Sequence, residues 1–418
     1  FRLFENIISS RNIGQSINTT LDSLTRINLK IINPYKSGIG MKMLSNILSK
    51  ETIETSIRDY FKKNSLNRSN NSSFKSILEN NGFAKSNWFF EEYLQKKLFK
   101  DFSIKNINST ANNTFFKITK HYDSKIPVQL SLIKNNKVIK NKWLDIKKRD
   151  TIVSFNSNFY DFVQLNKDKY VTETKYKNNF ASFEKYNKPL KFVLFTDFEN
   201  IYNKQINDIP LLGYNLYDGL MPGIDLTNIT LIKKPFNYKI KSFYSSKKKK
   251  LLGSMNLKFT DYNENKKLFS TQYFLSGSTF HYKDNLSYTS FFPSVTFLFR
   301  NSDLRSNFRQ FLAFKYISIY REENNDQKKY PNYNIFNVKY IISDSYGGKG
   351  ISLNTDLQIN KSFIKTSITG RFRNYYKDNR QYSIRFFLGK FFYNKTDDDY
   401  FSFSTYRTRD YMFKYNLL

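Results

Sequence analysis

The sequence predicts an α+β multidomain protein, and three stretches with different hydrophobic periods carry this prediction. Apolar residues recur at helical spacing in residues 1–102, whereas short segments in residues 103–188 alternate between apolar and polar residues. Residues 189–418 continue the alternation in longer segments. We therefore expect an N-terminal α-helical segment, a small β-sandwich and a region of long antiparallel strands, in that order.

The helical prediction for residues 1–102 rests on apolar faces and on helix-end signals. The stretch "NSSFKSILENNG" has an N-cap candidate at Ser72 or Ser73, and it stops at Asn81-Gly82, where a left-handed residue ends a helix. The stretch "SNWFFEEYLQKKL" predicts a further helix that opens with Ser86. The residues that "SGIGMKMLSNILSKE" places on one helix face are Ile39, Met43, Leu44, Ile47 and Leu48.

The small β-sandwich is predicted from short alternating segments separated by turn residues. Val128, Leu130 and Leu132 alternate with polar residues, as expected for a strand with one buried face. The pair Asn135-Asn136 then predicts a hairpin turn to the next strand, because asparagine tolerates positive φ angles. The pattern therefore predicts antiparallel β-structure for residues 103–188.

The long segments of residues 189–418 have one apolar and one polar face. In residues 351–360, Leu353, Leu357 and Ile359 point one way while Asn354 and Asp356 point the other. A soluble sandwich or barrel would bury the apolar face, whereas a transmembrane barrel turns that face to lipid.

Three features favour the membrane alternative. The strands approach the ~9–11 residues that cross a bilayer, and polar residues recur on the opposite face, where a dry interior would leave them unsatisfied. Aromatic residues also crowd the strand ends. We expect an incomplete outer-membrane-type β-barrel, and the alternative is a large periplasmic or extracellular β-domain. The aromatic residues concerned are Tyr316, Tyr320, Tyr375, Tyr376, Phe391, Phe392 and Tyr393.

Composition and charge argue against three features: a nucleic-acid partner, a membrane-spanning helix and a complete metal site. The net charge is +33, but the lysines are scattered along the chain, so we do not predict a nucleic-acid partner. No apolar run approaches the ~18–20 residues of a membrane-spanning helix. The chain has no cysteine, and its two histidines, His121 and His281, lie far apart, so we expect no complete metal site.

Four arginines are candidates for a polar channel. On a barrel they would line the lumen and pair with acidic residues, and the alternative is that they are ordinary solvated side chains. They are Arg305, Arg309, Arg407 and Arg409.

The helical region resembles part of the M1 (gluzincin) family of zinc aminopeptidases. In that family a tyrosine leads into an apolar helix, a Tyr/Phe-rich helix follows, and a "WFFxxWL"-type segment closes the block. Here "NPYKSGIGMKML", "DYF" and "WFFEEYL" stand in that order. The resemblance covers about a quarter of the chain.

The resemblance implies a role for Tyr35. In such enzymes the helix-leading tyrosine donates its hydroxyl to the oxyanion that develops when water attacks a peptide carbonyl. A phenol suits that task because its unperturbed pKa is near ~10. The alternative is that Tyr35 only packs at the start of the helix.

The zinc-binding motif of the family, His-Glu-x-x-His, is missing from this sequence. The resemblance therefore implies that the Zn²⁺ ligands lie outside the chain and that this fragment alone is inactive. The first residue is Phe1 rather than Met, which fits a fragment.

These observations give one interpretation and one alternative. The first is the C-terminal part of a zinc metallopeptidase of the aminopeptidase type, with a peptide or protein substrate, anchored in outer-membrane lipid of a Gram-negative cell envelope. The alternative is a non-catalytic outer-membrane or surface β-barrel protein with a degenerate peptidase-like domain.

Overall fold

The computed structural model describes residues 2–67, 70–83, 87–97, 101–173, 175–195, 200–263, 267–323, 332–376, 380–396 and 400–403. The chain is mostly β, with 52% strand and 16% helix. It divides into two compact units. The first unit contains Phe1–Ile206 and Thr230–Lys234, and the second contains Asn207–Ile229 and Pro235–Leu418.

The first unit begins with helices, and one of them is long. A π-helical turn, Asn28–Ile32, runs directly into α2, so that the two form a continuous helix of 20 residues. None of the described helices has the length and hydropathy needed to cross a membrane. The α-helices are α1 (Arg2–Ser10), α2 (Asn33–Ile47), α3 (Lys50–Asn64) and α4 (Asn71–Asn80), and a second π-helical turn spans Trp88–Tyr93.

The helix ends are set by side-chain caps and one glycine. Ser49 Oγ accepts a 3.1 Å bond from the Thr52 amide at the start of α3, and Asn70 Oδ1 accepts a 2.9 Å bond from the Ser73 amide at the start of α4. The N-cap of α4 is therefore Asn70 and not Ser72 or Ser73. The predicted end at Asn81-Gly82 is confirmed, because Gly82 adopts a φ of +96°. Ser86, predicted to open a helix, lies outside the described residues.

Two small antiparallel sheets follow the helices in the first unit. One has the order β1-β2-β5 and the other the order β4-β3-β6-β7. The predicted hairpin at Asn135-Asn136 is confirmed, because these residues link β3 to β4 with φ angles of +48° and +59°. The strands are β1 (Phe102–Ser109), β2 (Asn113–Lys120), β3 (Val128–Lys134), β4 (Lys137–Leu144), β5 (Asp150–Asn156), β6 (Phe162–Leu165) and β7 (Phe180–Ser182).

The predicted α+β multidomain fold with its own helical segment is wrong. Helices and small sheets bury their apolar residues in one hydrophobic cluster, which runs from Met43 and Leu78 through Trp88 to Phe116 and Leu130. Short helices cannot bury enough apolar surface alone, so they share the core of the neighbouring strands.

The rest of the chain forms a ladder of antiparallel strands. Each strand pairs with its neighbour in sequence, which gives a 12-stranded sheet in the order β8 to β19. The strands are β8 (Leu190–Leu194), β9 (Lys204–Asn215), β10 (Gly219–Thr227), β11 (Phe236–Tyr244), β12 (Leu251–Tyr262), β13 (Leu268–Lys283), β14 (Leu286–Arg300), β15 (Arg309–Arg321), β16 (Tyr333–Tyr346), β17 (Lys349–Ile359), β18 (Phe363–Tyr376) and β19 (Arg380–Asn394).

The predicted barrel is also wrong for the part of the chain that the structure describes. A sheet closes only when its two edge strands pair, and β8 and β19 stand at opposite ends of the strand order. The sheet is therefore open. Alternation along a strand predicts two different faces, but it does not determine whether the outermost strands meet.

The alternation itself is confirmed by the register. Ile342 pairs with Leu353, Leu353 with Gly370, and Gly370 with Phe386, so one row of apolar residues crosses four strands on one face. We call this the apolar face. The opposite, polar face carries Asn337, Lys339, Asp356 and Gln358, and Asp356 Oδ1 accepts hydrogen bonds from Asn337 (3.1 Å) and Gln358 (2.8 Å).

One end of the polar face is covered by a small apolar cluster. Its core includes Ile317, Ile335 and Phe363, and Phe401 packs onto Phe363 with ring centroids 4.8 Å apart. Nearby, Lys365 Nζ donates a 2.7 Å bond to the Phe401 carbonyl. Elsewhere this face carries mostly hydrophilic side chains, together with Phe311, Ile341 and Phe387.

Candidate functional site

Tyr35 lies inside a continuous helix and not at its start. The π-helical turn that begins at Asn28 precedes it, and the Asn33 amide bonds back to the Asn28 carbonyl, five residues earlier. Pro34 has no amide hydrogen to donate, and a widened turn just before it accommodates that gap. The tyrosine ring is half-buried and packs against the core of the first unit.

The helix that carries Tyr35 is held against the second π-helical turn. Tyr93 Oη donates a 2.9 Å bond to the backbone carbonyl of Lys36. One turn later, Gly40 lets the two segments approach, because a Cβ at this position would lie 2.5 Å from Tyr93 Cε1 and 3.0 Å from Phe89 Cε2. The rings of Phe89 and Tyr93 stack with centroids 5.6 Å apart. The backbone around Tyr35 is therefore fixed on one side.

Buried charges lie beside this contact. Burial raises the pKa of the Tyr93 phenol well above its usual value, and the negative charge of Glu5 raises it further. Glu5 is itself buried and accepts a hydrogen bond from the Thr172 hydroxyl. Glu5, Lys36 and Thr172 line a cavity of about 20 Å³, which has room for roughly one water molecule.

The two histidines belong to different units and have different partners. His121 Nε2 is 2.9 Å from Ser103 Oγ in the first unit, whereas His281 Nδ1 is 2.6 Å from Asp218 Oδ1 in the second. Within the described ranges, no group of three histidine, cysteine, aspartate or glutamate side chains is placed to hold a metal ion. The donor set present does not fit zinc.

The sequence did not predict the buried carboxyl group of Glu173 in the first unit. Glu173 accepts hydrogen bonds from the Phe102 amide (2.9 Å), from Asn166 Nδ2 (2.6 Å) and from Asn179 Nδ2 (2.7 Å). Burial raises its pKa to about 8, although the three donors oppose this shift. Glu173 ties the start of β1 to the loop between β6 and β7. The only feature of the sequence that could have indicated Glu173 is a run of polar residues between two apolar strands.

The second unit presents a candidate lipid-contacting surface. On the apolar face, Phe386 is 60% exposed, Leu388 58% and Leu353 39%. A groove of about 490 Å³ crosses this face between β11 and β16. The apolar side chains along it include Phe236, Leu257, Tyr273, Val295, Phe314 and Phe336.

Of the four arginines considered for a polar channel, two are described. Arg309 Nη1 donates 2.7 Å bonds to the carbonyls of Ser306 and Phe308. The amide of Arg305 donates to Asp303 Oδ1 at 2.8 Å. Arg407 and Arg409 lie outside the described residues.

Comparison with solved structures gives a distant likeness. No protein-family model matches the chain, and no curated protein matches it. A crystal structure of aminopeptidase A from Legionella pneumophila in complex with aspartic acid is similar, with 16% sequence identity and a TM-score of 0.28. The match covers 34% of this chain and 17% of that chain. A likeness at this level assigns neither a fold nor an activity to this chain.

Proposed function

We propose that this chain is part of a zinc-dependent metallopeptidase of the aminopeptidase type, held at the outer membrane of a Gram-negative cell envelope. In this proposal the apolar face of the second unit contacts lipid, and the first unit contributes Tyr35 to cleavage at the N-termini of peptides. The observation that carries the proposal is the exposed apolar face.

The exposure of that face supports contact with an apolar partner. Contiguous exposed apolar patches larger than a few hundred Å² mark interaction surfaces or membrane contacts. Here apolar side chains stand in register across successive strands, and Leu353, Phe386 and Leu388 are all exposed.

Strand length and aromatic placement favour lipid as that partner. β13 has 16 residues and β19 has 15, so the apolar rows along these strands are long. Tyr320 and Tyr376 are exposed near the ends of their strands, where membrane proteins place aromatic residues at the lipid headgroups.

Vesicle flotation tests the lipid contact. The purified chain should float with phosphatidylcholine vesicles, and the double variant Ile384→Asn, Leu388→Asn should float less, because both residues lie on the apolar face of β19. The matched control Gln381→Ala, Ser383→Ala changes the other face of the same strand and should float like the wild type. Equal flotation of all three, or of none, would remove the lipid proposal.

The hydrolytic part of the proposal assigns one step to Tyr35. Its hydroxyl would donate a hydrogen bond to the oxygen of the substrate carbonyl as negative charge develops there, and a donor of this kind contributes about 10²–10³ in turnover. Support comes from the resemblance of "NPYKSGIGMKML" to the gluzincin helix and from the contacts that fix α2. The described residues offer no zinc-binding set, so the ligands are proposed to lie outside this chain.

The variant Tyr35→Phe tests this step in the full-length protein. Hydrolysis of an aminoacyl substrate should fall about 10²–10³-fold in kcat, with little change in KM. Tyr60→Phe is the matched control, because Tyr60 is a half-buried tyrosine on the adjacent helix α3. An unchanged kcat in Tyr35→Phe would leave Tyr35 as a packing residue.

A further inference from the structure

We propose that Arg371, Arg373 and Arg385 form a binding site for a phosphate group on the polar face of the second unit. The inference rests on strand register and charge, and it is independent of the proposed peptidase function. It concerns a face of the sheet that no part of that proposal uses.

The register places the three arginines together. Arg371 of β18 pairs directly with Arg385 of β19, and Arg373 follows two residues along β18 on the same face. Directly paired residues have Cβ atoms about 4.5–5.5 Å apart, and residues two apart along a strand are about 7 Å apart. Arg373 lies over the Tyr375 ring (5.5 Å) and Arg385 over the Phe387 ring (5.9 Å), and both long side chains can turn from these rings to reach one tetrahedral anion beside Arg371.

No acidic side chain balances these charges within the described residues. None of the three arginines has a carboxylate within 4.0 Å there, and all three are exposed. Their paired neighbours on the same face are Ser352 and Gly350 of β17 and Ser383 of β19. Like charges directly opposite one another destabilise a strand pair, so the cluster favours an added anion.

The row of directly paired residues that contains Arg371 and Arg385 continues across the sheet to two further arginines. Ser352 pairs with Ser343, Ser343 with Arg309, and Arg309 with Arg300, so two arginine pairs flank two serines across six strands. Hydroxyl and guanidinium groups all donate hydrogen bonds. The row therefore presents a set of hydrogen-bond donors to a ligand.

The glycine opposite Arg373 leaves room above the sheet. A Cβ at Gly350 would lie 3.7 Å from Arg373 Nε and 3.8 Å from Nη2, so the guanidinium of Arg373 rests over the bare backbone of β17.

Phosphate fits this arrangement better than a carboxylate. Guanidinium groups bind phosphate oxygens in bidentate fashion, and a phosphomonoester carries up to two negative charges to set against three positive ones. A carboxylate offers only two oxygens and one charge. The same phosphate chemistry is available from a free phosphate compound or from a lipid headgroup.

Calorimetric titration of the full chain in a maltoside detergent tests the proposal. Pyrophosphate is the probe for a free ligand, and mixed micelles containing phosphatidic acid are the probe for a headgroup, with phosphatidylcholine micelles as the reference. Saturable binding of pyrophosphate, or of phosphatidic acid above the reference, supports the site and identifies the source. Absence of both overturns it.

The decisive variant is Arg371→Gln combined with Arg385→Gln. Binding should weaken at least about 10-fold, because two charge-assisted contacts are removed. The matched control is Arg380→Gln, an exposed arginine of β19 five residues from Arg385 and hence on the other face. Far-UV circular dichroism confirms that each variant is folded. Equal weakening in the control, or none in the double variant, would overturn the proposal.

Discussion

Tyr93 Oη donates a hydrogen bond of 2.9 Å to the backbone carbonyl of Lys36, the residue that follows Tyr35. The bond joins α2 to the second π-helical turn at a buried contact, and Gly40 lies against the same tyrosine ring. The position of the candidate donor Tyr35 thus depends on packing that its own side chain does not make.

Replacing Gly40 by alanine should destabilise the first unit by about 1–3 kcal/mol, because the added Cβ would lie 2.5 Å from Tyr93 Cε1. Urea unfolding measures the change. Gly38 provides the control on the same helix, since its Cβ position has no atom within 4 Å. Gly38→Ala should stabilise the protein by about 0.5–1 kcal/mol through helix propensity alone. The same sign for both variants would contradict the close contact.

Replacing Tyr93 by phenylalanine should lower the free energy of unfolding by about 1 kcal/mol, because the buried hydrogen bond to Lys36 is lost while the ring remains. Urea unfolding again provides the measurement. Tyr35→Phe in the same assay shows whether the two tyrosines differ in their structural role. An unchanged stability in Tyr93→Phe would show that its hydroxyl does not hold α2.

Glu173 should make stability depend on pH. Its pKa is raised from the ordinary 4.5 to about 8 by burial, so the folded chain keeps a proton that the unfolded chain has released. This contribution is fully present below about pH 4.5 and is lost as the pH rises to about 8, so stability should fall across that range.

The variant Glu173→Gln should remove this slope, because glutamine does not titrate. It should also be less stable at acidic pH, since its amide NH₂ would face donor groups. Thermal unfolding between pH 4 and 9 measures both effects, and Glu184→Gln, an exposed site, serves as the control. A slope retained in Glu173→Gln would assign the pH dependence to another group.

The hairpin between β3 and β4 should become more stable when Asn136 is replaced by glycine. Asn136 adopts a φ of +59°, which glycine reaches without steric cost, and we expect a gain of about 0.5–1 kcal/mol. Asn136→Val should instead destabilise, because a β-branched residue is strained at positive φ. Thermal unfolding measures both changes. A shift of Tm in the same direction for the two variants would contradict this account.

Local features were predictable from the sequence, and relationships between distant segments were not. The faces of the strand with Leu353 and Asn354, the turn at Asn135-Asn136 and the helix end at Gly82 follow from side-chain period and backbone preference. The open edges of the sheet do not, because edge pairing is a property of strands far apart in sequence.

In the candidate sites, too, local features were predictable and relationships between distant segments were not. Tyr35 was predicted as a candidate from the motif around it. The widened helical turn before it was not predicted, because it depends on how the backbone accommodates the missing amide hydrogen of Pro34. The arginine row was missed because it exists only once the register is known, for it brings Arg309 and Arg371 into line from residues 62 positions apart in the sequence. Arg309 was considered for pairing with acids, and it donates instead to backbone carbonyls.

Contact between the apolar face and lipid is measured most directly with a fluorescent label at two adjacent positions. The chain contains no cysteine, so Leu353→Cys and Asn354→Cys each give a single labelling site, on opposite faces of β17. In vesicles that contain a quencher attached to lipid chains, we expect strong quenching of the label at position 353 and little at position 354. Equal quenching at the two positions, or none at 353, would contradict the account.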